Sequence, residues 1–143
     1  MKTDSFQDQI ITLVRAFGWH RPASTPCGQP VPIAEAHALL ELSKQDALTQ
    51  RELALRIKLQ KSTVSRLVSN LEDRGWVDRR RNDVDGRARD VFLTAMGKEA
   101  AVDLATARQA KMDRILAKIS DDRRQAVGES LQILIEAIHE SDE

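Results

Sequence analysis

The chain has one cysteine, Cys27, no tyrosine, and among its 143 residues only three Phe and two Trp. A lone cysteine excludes an internal disulfide and suits a reducing compartment. Scarce aromatics leave Leu, Ile, Val and Ala to fill the core, a set that packs well between helices. No run of about 18 apolar residues occurs, so no membrane partner is expected. Asp4, Gln7, Asp8 and Gln9 interrupt any apolar signal core near the N-terminus, and the expected location is the cytoplasm. A Gly-rich phosphate loop, a metal signature and a placed nucleophile–base pair are also missing, which points away from an enzyme and from any cofactor or metal. The length suits one domain, 1–143, of mainly α class with a small β component.

Charge is balanced overall, with 22 basic and 22 acidic side chains, yet it is unevenly placed. Residues 51–91 hold 11 basic and 7 acidic side chains, whereas residues 1–50 hold 4 and 5, and residues 92–143 hold 7 and 10. A polyanion responds to the local field rather than to net charge, so the middle third is the candidate nucleic-acid contact.

Periodicity supplies the elements. Phe6, Ile10, Leu13, Val14 and Phe17 fall at helical spacing, and a second helix is expected over about 33–43, burying Ala36, Leu39, Leu40 and Leu42. Between them, residues 18–32 carry Pro22, Pro26, Gly28, Pro30 and Pro32, which break regular structure. Thr49 with Glu52 three residues on is a capping box for a third helix, with Leu53, Ala54 and Ile57 inward. A fourth helix begins near Gln60, buries Val64, Leu67, Val68 and Leu71, and ends at Gly75 in a left-handed cap. Residues 76–80 and 90–93 read as two strands joined by an Asp85-Gly86 turn. Thr94 caps a long helix to about Ile119, and Ser120 starts the last, where Val127, Leu131, Leu134 and Ile138 repeat at helical spacing. Two short helices followed by a basic hairpin form the layout of a winged helix-turn-helix, with about six helices in all. Ile133, Leu134, Ile135, Ala137 and Ile138 make the last helix apolar on more than one face. Either the chain's own core encloses it or a second copy covers it.

Several pieces taken together are similar to the MarR family of bacterial winged-helix regulators. They are Glu52-Leu53-Ala54, Lys61-Ser62-Thr63-Val64-Ser65-Arg66, Leu71-Glu72-Asp73-Arg74-Gly75-Trp76-Val77, Asp85-Gly86-Arg87 and Leu93-Thr94-Ala95-Met96-Gly97. Each alone is weak; in this order and spacing they are specific, and they cover roughly residues 33–100. The resemblance implies a homodimer whose dimerisation region comes from residues 1–32 and 98–143, with a DNA-binding lobe at 33–97. It also implies a cleft responsive to a small-molecule effector or an oxidant.

The residues at the candidate interface have the chemistry that this requires. At the start of the fourth helix Lys61, Ser62, Thr63, Ser65 and Arg66 are donors beside backbone amides that favour phosphate oxygens. Arg66 is the candidate for a bidentate guanine contact, with Ser69 and Asn70 a turn further on. In the hairpin Arg79, Arg80, Arg81, Arg87 and Arg89 supply the wing. Arg87 resembles the family's minor-groove arginine. Asp85 and Gly86 are expected to shape the turn, Asp85 orienting a neighbouring arginine. An exposed solubilising charge cluster is the plain alternative for part of this set.

For the switch, Cys27, Trp19, His20, Arg21 and His37 are the candidate effector or redox residues. Arg21 or a histidine could lower the Cys27 thiol pKa, and a cleft near Phe17 and Trp19 could hold an aromatic or anionic compound, with Arg15, His20 or Arg21 as counter-charges. The oxidant-sensing branch of the family surrounds its cysteine with tyrosines, which this chain lacks. His20, Cys27 and His37 have no compact metal-ligand spacing, so no metal is expected. The expected function is a homodimeric, sequence-specific repressor of a pseudo-palindromic double-stranded DNA operator. The alternative from another class is a winged helix used for protein–protein contact in a larger assembly.

Overall fold

A computed structural model describes residues 1–143, and its contacts divide the chain into two units, Met1–Arg108 and Gln109–Glu143. The first holds α1 (Thr3–Phe17), α2 (Ile33–Leu42), β1 (Leu48–Thr49), α3 (Gln50–Ile57), α4 (Lys61–Asp73), β2 (Val77–Arg81), β3 (Arg89–Leu93) and most of α5 (Ala95–Ala117). The end of α5 and all of α6 (Asp121–Ser141) form the second.

Local chemistry sets the helix ends. Thr49 Oγ1 accepts the Glu52 N–H at 3.1 Å, and the Glu52 carboxylate faces the Thr49 N–H and hydroxyl at 3.5 and 3.0 Å. This is the reciprocal satisfaction of orphan donors that the Thr-x-x-Glu spacing predicts. The turn into α4 passes through Lys58 at φ 54°, a left-handed conformation unusual for a side chain with a Cβ. Gly75 ends the following segment at φ 78°, as expected of a glycine after a helix. At the head of α5, Thr94 Oγ1 accepts the Gly97 N–H at 3.1 Å and donates to Gly75 O at 2.6 Å, tying the base of the wing to the exit from α4.

The same junction explains Gly97. A Cβ there would lie 1.9 Å from the Trp76 carbonyl oxygen, inside any tolerable contact. That carbonyl is fixed, because it accepts the Thr94 N–H at 3.0 Å. The requirement comes from tertiary approach and cannot be seen in helix propensity.

Strand order is β1-β3-β2, antiparallel throughout, with Leu48 opposite Val91 and the β2–β3 register running from Val77↔Leu93 to Arg81↔Arg89. The short strand β1 lies outside the sequence expectation, since two residues are too few to show alternation. The core of this unit is Leu39, Leu42, Leu48, Leu53, Val64, Val68, Leu71, Val77 and Val91, all fully buried. Buried Glu35 joins it as an ion pair, accepting from Arg74 Nε at 3.1 Å, while the Arg74 guanidinium lies 5.1 Å from the Trp76 ring centroid. The pair fixes the start of α2 to the end of α4.

The terminal helices differ. Neither α1 nor α6 has a buried residue. In the second unit Arg124 Nε donates to Leu116 O and Ile119 O, both at 3.1 Å, satisfying carbonyls left open where α5 ends. No helix is long and apolar enough to cross a membrane.

Candidate nucleic-acid interface

Helix α4 divides cleanly into two faces. Val64, Leu67, Val68 and Leu71 are buried at positions i, i+3, i+4 and i+7, which leaves Ser62, Ser65, Arg66 and Ser69 at the same spacing on the opposite face. Lys61, Ser62, Ser65, Arg66, Ser69 and Asn70 are exposed, and Thr63 is half-buried. The first turn of α4 has no acidic residue; Lys61 stands there instead, where the helix dipole favours an anion. Fixed amides and a lysine together suit a phosphate oxygen.

The wing departs from the two-residue turn expected at Asp85-Gly86. Its strands end at Arg81 and Arg89, so the connection runs over 82–88 and the Asn82 N–H donates to Ala88 O at 3.1 Å. Asn82 organises it. Its Oδ1 accepts from the Val84 and Asp85 N–H groups at 2.9 and 2.8 Å, and its Nδ2 donates to Asp90 Oδ1 at 2.8 Å. Asp85 Oδ1 accepts the Arg87 N–H at 3.0 Å, so it shapes the tip through backbone, not by pairing with an arginine side chain. A Cβ at Gly86 would come 3.0 Å from an Arg81 guanidinium nitrogen, the end of a flexible side chain that can move aside. In sequence Asn82 carries a weaker signal than the Asp-Gly pair, the general habit of Asn side chains to bond backbone two residues on.

The five wing arginines are not equivalent. Arg81 folds back to the tip, its Nε donating to Gly86 O at 3.0 Å. Arg80 stands on the other face, 5.1 Å from the Phe92 ring centroid and 3.8 Å from Asp90 Oδ2. Arg79 reaches α4, donating to Ser69 Oγ at 2.9 Å. Arg87 and Arg89 are exposed.

Among the candidate switch residues, Trp19 is exposed and packs its ring 4.2 Å from that of Phe17, while His20, Arg21 and His37 are exposed. Cys27 is half-buried, its Sγ 2.9 Å from Thr25 Oγ1. The proline-rich loop lines a cavity of about 220 Å³ through Gln29, Pro30 and Val31, whose other walls are Arg74, Trp76, Ala100, Asp103 and Leu104. None of Cys27, Trp19 or the histidines lines that cavity. No group of three or more His, Cys, Asp or Glu side chains is placed to hold a metal ion.

A helix presenting an exposed polar face, set against a basic β-hairpin on a three-stranded sheet, defines a winged-helix protein. Residues 29–88 match the sequence model of the MarR family. An uncharacterized HTH-type transcriptional regulator of Mycobacterium leprae is 29% identical over 132 residues, covering 92% of this chain and 89% of that protein. Streptococcus pneumoniae FabT, solved in complex with DNA, superposes with a TM-score of 0.74 at 20% identity, covering 96% of this chain and 95% of that one. The Streptomyces coelicolor PcaV regulator, solved with its natural ligand, superposes with a TM-score of 0.72 at 20% identity over 96% and 94% of the two chains. The similarity to the MarR family of winged-helix regulators thus lies in residues 29–88, which span α2 to the tip of the wing.

Proposed function

We propose that this protein is a homodimeric, sequence-specific DNA-binding regulator of transcription, acting in the cytoplasm as a repressor on a pseudo-palindromic operator. The observation that carries the proposal is the exposed α4 face from Lys61 to Asn70 in one lobe with a wing bearing exposed Arg87 and Arg89. In this role α4 enters a major groove with Arg66 toward a base edge, and Arg87 lies in the neighbouring minor groove. The positive balance of residues 51–91 steers the lobe toward phosphate. The same fold in FabT is known on DNA.

Dimerisation is assigned to residues 1–32 and 98–143. Phe6, Ile11 and Leu13 on α1 and Val127, Leu131, Ile133, Ile135 and Ile138 on α6 are exposed in the single chain. Apolar surface of that extent calls for a partner, and a second copy is the simplest source. Twofold symmetry then requires half-sites about one helical turn apart. Release from DNA follows either binding of a small aromatic or anionic compound or oxidation of Cys27, with Trp19, His20, Arg21 and His37 nearby in sequence.

The test is selection of genomic fragments by the purified chain, alongside its mass in solution. The expected result is a dimer retaining fragments that share an inverted repeat. A monomer that retains no fragment at low salt ends the proposal. Repeating the selection with aromatic acids, and with peroxide on the wild type and Cys27→Ser, distinguishes the two release routes.

A further inference from the structure

Three arginines in a row, Arg79, Arg80 and Arg81, look interchangeable in sequence, and strand alternation separates them. Arg79 stands opposite Val91 and so shares the face of β2 that packs toward α4. Its Nη2 donates to Ser69 Oγ at 2.9 Å, and its Nε lies 3.4 Å from Glu72 Oε2. The Arg79 side chain is only 25% exposed. Its Nε is shut off from water and has no in-line hydrogen bond, so the Glu72 carboxylate balances the charge at an angle rather than along the N–H. Ser69 and Glu72 are three residues apart on α4 and therefore on one side of it. A guanidinium, with its planar fork of donors, can serve both at once.

We propose that Arg79 is a positioning residue, fastening the first strand of the wing to the recognition helix rather than touching DNA. The proposal rests on the DNA-binding reading given above. Ser69 only accepts in this contact, so its hydroxyl hydrogen stays free to donate elsewhere. Beyond Val77 the wing has little core of its own: of residues 78–90 none is fully buried, and a hairpin that lacks such packing is marginal. The Arg79 link restrains that hairpin, and with it the separation between Arg66 on α4 and Arg87 at the tip. Two groups that must enter adjacent grooves together gain from being held in place beforehand.

The probes are the operator duplex recovered by genomic selection and a scrambled duplex of equal length and composition. Wild-type protein that does not discriminate between them refutes DNA reading itself, before any variant is made. Given discrimination, Arg79→Lys keeps the charge but loses the fork. It is expected to lower operator preference about tenfold, the scale of losing a hydrogen bond to a charged group. The salt dependence of binding should stay at the wild-type slope, whereas Arg87→Ala lowers it by about one ion per subunit. Glu72→Gln should reduce preference in the same direction, and the double variant should be no worse than Arg79→Lys alone. In protein without DNA, amide exchange over residues 78–90 should quicken in Arg79→Lys. Wild-type preference in Arg79→Lys overturns the proposal. So does a loss of preference with unchanged exchange in the free protein, which would make Arg79 a direct base contact.

Discussion

The winged-helix lobe and the terminal helices place similar apolar side chains in opposite circumstances. From α2 to β3 the large residues are enclosed by their own chain, Leu39, Leu53, Val64, Val68 and Val91 at 0% exposure. On α6, Ile133 is 68% exposed and Leu131 46%. Both stretches show helical spacing of Leu, Ile and Val, so composition does not separate them. The difference is whether each stretch's own unit supplies the second surface. A lobe with its own core has a stability set by that core, whereas an uncovered helix takes its stability from what it meets.

That contrast can be broken at several points. The largest effect should come from two charges on α6, Leu131→Asp with Ile135→Asp. The proposed dimer should dissociate and operator affinity fall by on the order of 10²–10⁴-fold, the avidity lost when two half-sites are no longer bound together. The lobe should keep its fold, seen as unchanged exchange protection in α2–α4; loss of protection there would mean that the two regions are not separable. Leu71→Ala, inside the lobe, should cost about 2–5 kcal/mol by denaturant titration at any protein concentration. A concentration-dependent midpoint shift would tie this core to assembly.

Gly97→Ala tests the junction between wing and α5. Its Cβ cannot sit 1.9 Å from the Trp76 oxygen, so one segment must move, at a cost of about 1–3 kcal/mol. An unaltered melting temperature would show that the backbone gives way freely. Arg66→Ala leaves the lobe stable and should weaken operator binding by about 1–3 kcal/mol, with preference relaxed at one position of each half-site. Equal weakening on all sequences would reassign Arg66 to phosphate. The smallest effect is expected for Thr49→Ala, about 1 kcal/mol from loss of the capping box, measured as a fall in the lobe's unfolding free energy.

Much of the lobe was legible in sequence because its signals are local. The capping box at Thr49–Glu52, the buried positions of α4 and the glycine cap at Gly75 each depend on residues within a turn or two of one another. The wing was legible as a hairpin but not in its tip, where a seven-residue connection over 82–88 replaces the expected tight turn. Asn82 bonds across the loop to Asp90, and no short motif announces that. Strand β1 escaped for a related reason, being defined by pairing to β3 more than forty residues away rather than by its own two side chains.

By itself the sequence determined where helices start and stop, which face of each is apolar, and where basic charge gathers, since all three follow from neighbours along the chain. Only the tertiary structure decided the roles of residues that look alike. Arg79 is bonded to Ser69, Arg80 rests on Phe92, Arg81 is turned to Gly86, and Arg87 is exposed. Glu35 became a core ion pair and Gly97 a point of backbone contact. The physical reason is range: propensity and periodicity act over a few residues, while steric approach, charge pairing and burial depend on segments brought together from distant parts of the chain.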